Sequence, residues 1–178
     1  AEREAAAREL VRMGSVEGVR RILPLVDRHE VKSNDLCAAN AVPALLAILR
    51  DKKEDDETRA SAARALGSED TPVPNRVPVL IDALKDDSEE VQLAAVWALC
   101  RHLGTKDSAL VPELIAIFKK SSSVVRHEMA EIFGWIGSGA RDAVPLLLSE
   151  WRASLDRQGE DAGLNPDNFL LALRGIGA

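Results

Sequence analysis

The sequence predicts an all-α solenoid of about five helical hairpins arranged in series. Three observations predict it. Val-Pro recurs at Val42-Pro43, Val77-Pro78, Val111-Pro112 and Val144-Pro145, in steps of 35, 34 and 33 residues. Each pair opens a helical apolar pattern: VPALLAILR, VPVLIDALK, VPELIAIFK and VPLLLSEW. A second pattern follows each opening, as in TRASAARALG from Thr58, VQLAAVWALC from Val91 and VRHEMAEIFGWIG from Val125. Finally, aromatic residues make up only 3% and there is no Tyr, although 46% of the chain is hydrophobic. Such a core is built of Ala, Leu, Val and Ile, which suits closely packed helices.

In chain order, the first predicted helix runs from Glu2 to a glycine stop at Gly14. VRRILPLVD from Val19 keeps the apolar spacing of an opening helix without its leading proline, and Pro24 should kink or end the helix that begins near Val16. From Val19 to Val42 is only 23 residues, so the second helix of that unit is expected to be curtailed within Ser33 to Ala41. The openings at Val42, Val77, Val111 and Val144 place proline in a first helical turn, where its missing N–H had no partner. Acidic or polar turns separate the helices: DKKEDDE (51–57) and KDDSEE (85–90) each sum to −3, and KKSSS (119–123) is the exception. Counting the first residue of each second pattern as position 0, positions 4, 5 and 8 hold Ala62, Ala63 and Leu66, then Ala95, Val96 and Leu99, then Met129, Ala130 and Phe133. Positions 0, 4, 7, 8 and 11 share one arc of a helix and predict its core face. Glycine closes the pattern at Gly14, Gly67, Gly104, Gly137 and Gly177, a helix C-terminal signal. The last hairpin has a long turn, DRQGEDAGLN, before Pro166 starts the final helix.

The pattern V-R-x-x-A-A-x-A-L-G-x-I-G resembles the second helix of HEAT repeats, in the short bacterial form also seen in phycobilin lyase-type HEAT domains. The VPxLxxLL openings resemble the first helix, and the resemblance covers nearly the whole chain. It implies a right-handed superhelix whose second helices line the concave side. No pigment-binding residue carries over from the lyases. Residues 1–178 are expected to form one repeat domain. The chain begins AEREAAAREL, already helical and without Met, and neither end shows a polar cap, so it is expected to be a segment of a longer protein.

Charge and cysteine content narrow the function. The formal charge is −6, which argues against the basic face of a nucleic-acid binder. Cys37 and Cys100 are the two cysteines, with no CxxC, so neither a disulfide framework nor a zinc site is signalled. No apolar run is long enough for a membrane span and no targeting segment opens the chain, which makes the cytoplasm the default expectation. No GxSxG, phosphate loop or HExxH is present.

The expected binding residues lie opposite the core on the second helices, at positions 2, 6 and 9. Leu93 and Trp97 put two large apolar groups there, four residues apart. Two roles fit Trp97: packing between adjacent repeats, or contact with a partner, since Trp is enriched at interface hot spots. Arg101, His127, Glu131 and Trp135 lie on or beside the same stripe and complete the candidate partner-binding set. His127-Glu128 is similar to the His-Glu segments of deoxyhypusine hydroxylase, a HEAT-like iron protein. The equivalent pairs here are Glu4-Ala5, Ala60-Ser61, Leu93-Ala94 and Asp167-Asn168, too few ligands for a di-iron site, and His29-Glu30 lies out of register. His127 is therefore expected to be solvated, with no metal and no cofactor. HEAT-like DNA glycosylases use a basic, aromatic-bearing groove. Arg8, Arg12, Arg64 and Arg101 would supply one here, opposed by Glu4, Glu131 and Asp167. Cys100 stands where other units have Gly67 and Gly134, a small packing residue. The expected function is a non-catalytic scaffold binding a protein or peptide, with no nucleic acid and no membrane. The alternative is a regulatory or substrate-holding HEAT domain of a larger, lyase-like enzyme.

Overall fold

Proline at the start of a helix and small residues along its inner face dictate short helices that approach closely. A computed structural model of the chain describes residues 9, 11–27, 40–69, 71, 73–156 and 167–177. Among the described residues every regular element is helical. Contacts between residues divide the chain into two units, 1–98 and 99–178.

Unit 1 holds α1 (Val16–Asp27), α2 (Ala41–Arg50), α3 (Asp56–Leu66), α4 (Arg76–Ala83) and most of α5 (Glu89–Cys100). Helix α1 runs on through Pro24 to Asp27, so the expected stop is absent. The Pro24 ring is exposed, and its missing N–H costs the helix only the bond to the Arg20 carbonyl. Asn40 Nδ2 donates to the Arg12 carbonyl at 2.9 Å, capping the segment that ends at Gly14, where φ is 73°. The Asp55 side chain accepts from the Thr58 N–H at 2.8 Å and starts α3. Ion pairs follow the repeat period. Arg20 bonds Glu54 and Lys52 Nζ bonds Asp86 at 2.8 Å, each pair 34 residues apart. Asp86 also accepts from Arg59 Nη1 at 2.5 Å and from the Ser88 N–H at 2.9 Å. Arg59 and Asp86 are both buried. Burial alone would raise the Asp86 carboxyl, but Lys52, the Ser88 N–H and Arg59 outweigh it and hold it below its ordinary value.

Unit 2 holds α6 (Val111–Phe118), α7 (Ser123–Ile136), α8 (Val144–Asp156) and α9 (Asp167–Ile176). Short 3₁₀ turns, Thr105–Leu110 and Gly137–Ala143, lead into Val111-Pro112 and Val144-Pro145. Phe118 and Phe133 meet with centroids 5.8 Å apart, and α9 packs on α7 and α8. Arg126, at the same helix position as Arg59, bonds the Ser121 carbonyl at 2.8 Å and pairs with Glu150 at 3.2 Å.

The predicted core face is the buried one. Ala62, Ala63, Leu66, Ala95, Val96, Leu99, Met129, Ala130 and Phe133 are all fully buried, and Phe169 and Leu173 nearly so. The glycines behave less uniformly than the C-terminal signal implied. Gly14, Gly137 and Gly177 have positive φ, whereas Gly67 does not. Gly67 is required by proximity: a Cβ there would stand 2.2 Å from the Cβ of Ala98. Gly104 lies four residues past α5 with extended φ, and a Cβ there would touch nothing. The expected curtailed helix with Cys37, the His29-Glu30 pair, and the long turn with Pro166 fall outside the described residues.

Candidate functional site

The small residues that close the second helices also create a surface feature. In unit 1, Gly67 at position 9 of α3 meets Ala98 at position 7 of α5. In unit 2 the same register recurs, with Gly134 at position 9 of α7 against Ala172 at position 7 of α9. A Cβ on Gly134 would lie 3.2 Å from the Ala172 Cα. Gly175, one turn on, approaches still closer: its Cβ would stand 2.7 Å from the Gly134 carbonyl oxygen. Side chains cannot fill this seam, so its outer side stays open.

The result is a groove of about 350 Å³ between α7 and α9. Gly134, Ala172 and Gly175 form its floor. Trp135 and Leu171 stand on its two sides, 55% and 58% exposed. Glu131 and Asn168 supply its polar groups. Trp135 Nε1 donates to Glu131 Oε1 at 3.2 Å, holding the carboxylate beside the indole edge. Asn168 Nδ2 donates to His127 Nε2 at 2.8 Å, which requires a neutral imidazole. Burial pushes the His127 pKa below its ordinary value, while Glu128 opposes the shift.

Two of the expected binding residues, Glu131 and Trp135, thus come together in one groove. His127 does not join them at the surface and is corrected from solvated to buried: it is 5% exposed, edge-on to Phe169 with centroids 5.7 Å apart. On α7, position 2 faces α9, and Ala60 at the same position of α3 is also fully buried, whereas Leu93 is half-buried and Asp167 exposed. On α5, Leu93 is half-buried and Trp97 is 50% exposed. Arg101 is exposed in the turn after α5. Sequence reasoning left out Asn168, Leu171 and Gly175. Leu171 carried a signal, since it occupies the same position 6 as Trp97 and Glu131.

Cys100 fits its reading as a small packing residue. Burial raises its thiol to about 12, with Glu131 and Glu128 adding to the rise, so it stays protonated and unreactive. Among the described residues no three His, Cys, Asp or Glu side chains are grouped as a metal would need. Among the same residues no helix is long and apolar enough to cross a membrane.

Residues 77–158 match a family model described as HEAT repeats, a span that runs from the second residue of α4 through α8 and stops short of α9. No curated protein and no solved structure matches the chain.

Proposed function

We propose that this HEAT-repeat protein is a non-catalytic interaction module whose α7/α9 groove receives a segment of a partner protein. HEAT repeats generally mediate protein–protein interaction and are typically non-catalytic. The observation that carries the reading is the exposure of Trp135 and Leu171 on either side of a floor of Gly134, Ala172 and Gly175. Two large apolar groups held in water beside a groove are an unfilled hot spot. Burying one such side chain contributes about 1.5–3 kcal/mol. At about 350 Å³ the groove is at the small end for a ligand pocket and suits one or two anchoring side chains of a peptide.

Selection of a random peptide library on the immobilised chain tests this. Enriched peptides should lose binding to Leu171→Asp and to Trp135→Ala while both variants keep their helical spectrum. Peptides that bind these variants as well as the unaltered chain would place recognition elsewhere and end the proposal for this groove.

A further inference from the structure

The groove's polar groups are unbalanced in a way that specifies a guest. Among the described residues, Glu131 is its only charged lining residue. Among the same residues, the side-chain N–H donors of its lining belong to Trp135 and Asn168. Trp135 Nε1 is committed to Glu131, and one of the two Asn168 Nδ2 hydrogens to His127. The backbone N–H groups of Gly134, Ala172 and Gly175 are spent within α7 and α9. What the groove offers a guest is mainly acceptor capacity with one negative charge: the Glu131 carboxylate, which has about four lone-pair sites, and the amide oxygen of Asn168. The complementary guest is rich in donors, cationic, and able to lie against an indole.

We infer that the α7/α9 groove reads an arginine of the partner segment, with the guanidinium stacked on the Trp135 face and bonded to the Glu131 carboxylate, and an aliphatic neighbour of that arginine against Leu171. This rests on the interaction reading above and gives its partner a chemistry. Arginine fits better than lysine. Its planar fork can stack on the Trp135 face while bonding the carboxylate, and it sheds water more readily than an ammonium group. Apolar contact with Leu171 supplies the part of the affinity that charge alone lacks at an exposed site.

Four capped Gly/Ser heptapeptides test the inference, with Leu-Arg, Leu-Lys, Leu-Gln or Leu-Glu at the centre. Binding is read from the ¹⁵N-indole signal of Trp135, assigned with Trp135→Phe. The Leu-Arg peptide should shift that signal saturably and bind roughly tenfold more tightly than Leu-Gln, with Leu-Lys between them. Leu-Glu should be weakest. Glu131→Gln, which keeps an acceptor for the Trp135 N–H, should bring Leu-Arg and Leu-Gln together without changing the unfolding temperature. Equal binding of Leu-Arg and Leu-Gln to the unaltered chain, or a preference for Leu-Glu, overturns the arginine assignment but leaves the groove as an interaction site. If no peptide moves the Trp135 signal, the assignment also falls, and the library selection alone then decides whether the groove binds protein.

Discussion

Replacing Gly175 by alanine should force α7 and α9 apart. The new Cβ would stand 2.7 Å from the Gly134 carbonyl oxygen, 3.0 Å from its Cα and 3.1 Å from its carbonyl carbon. All three are backbone atoms of α7, so no side chain can rotate away. Relief requires the helices to separate by several tenths of an ångström, which loosens the seat of Phe169, Ala172, Leu173 and Ile176. Overpacking of this kind costs about 1–3 kcal/mol. Alanine offsets up to about 1 kcal/mol of that through its better helix propensity. The net expectation is a loss of about 1–2 kcal/mol, or a fall of roughly 2–8 °C in the unfolding midpoint for a chain of this size. Gly104→Ala is the control in the same unit, since φ there is extended and nothing lies within 4 Å of the new Cβ. Thermal unfolding followed by circular dichroism compares the two. Equal midpoints for Gly175→Ala and Gly104→Ala would refute the close approach on which the groove depends.

Three further outcomes follow from particular contacts. Asp86→Asn should destabilise unit 1 by about 1.5–3 kcal/mol, because it removes the buried one of the two carboxylates, Asp86 and Asp56, that pair with the buried Arg59 guanidinium. Lys52→Met should cost no more than about 1 kcal/mol, since Lys52 is half exposed; chemical denaturation measures both. His127 is neutral in the folded chain and titrates below its ordinary 6.5, so the unfolded chain takes up its proton first as pH falls. Its contribution is complete above about pH 6.5 and is lost as pH drops below that value, so His127→Gln should flatten the slope of unfolding temperature against pH there. Trp97→Ala should cost less than about 2 kcal/mol, against about 3–5 for a fully buried indole, and a larger loss would return Trp97 to the packing role.

The helical periods exposed the fold almost completely. Proline-opened first helices begin at or beside Val42, Val77, Val111 and Val144, and positions 4, 5 and 8 of the second helices form the core. A helical wheel with one core direction went wrong where a second helix has two neighbours. His127 and Ala60 lie on the supposed solvent face and are buried. Cys100 and the three glycines Gly67, Gly134 and Gly175 are small because a neighbouring helix comes close or because packing leaves little room. Half of the groove was legible for a related reason. Glu131 and Trp135 share α7, and their spacing put them on one stripe. Asn168, Leu171 and Gly175 come from α9, some 40 residues on, and only the register between the two helices brings them alongside. The pairing of Gly134 with Ala172, repeating that of Gly67 with Ala98, was the signal for that register, but it depends on distances that no single-helix pattern contains.

The central claim is that Trp135 and Leu171 are held exposed for a partner and are not misplaced core. The double variant Trp135→Ala/Leu171→Ala tests it most directly, with unfolding temperature and binding of library-selected peptides measured on the same sample. The account predicts an unfolding midpoint within roughly 4 °C of the unaltered chain, a loss near 1 kcal/mol, together with a binding loss of at least about a hundredfold, from two anchors at about 1.5 kcal/mol or more each. A midpoint that falls far beyond that range, or binding that survives unchanged, would contradict it.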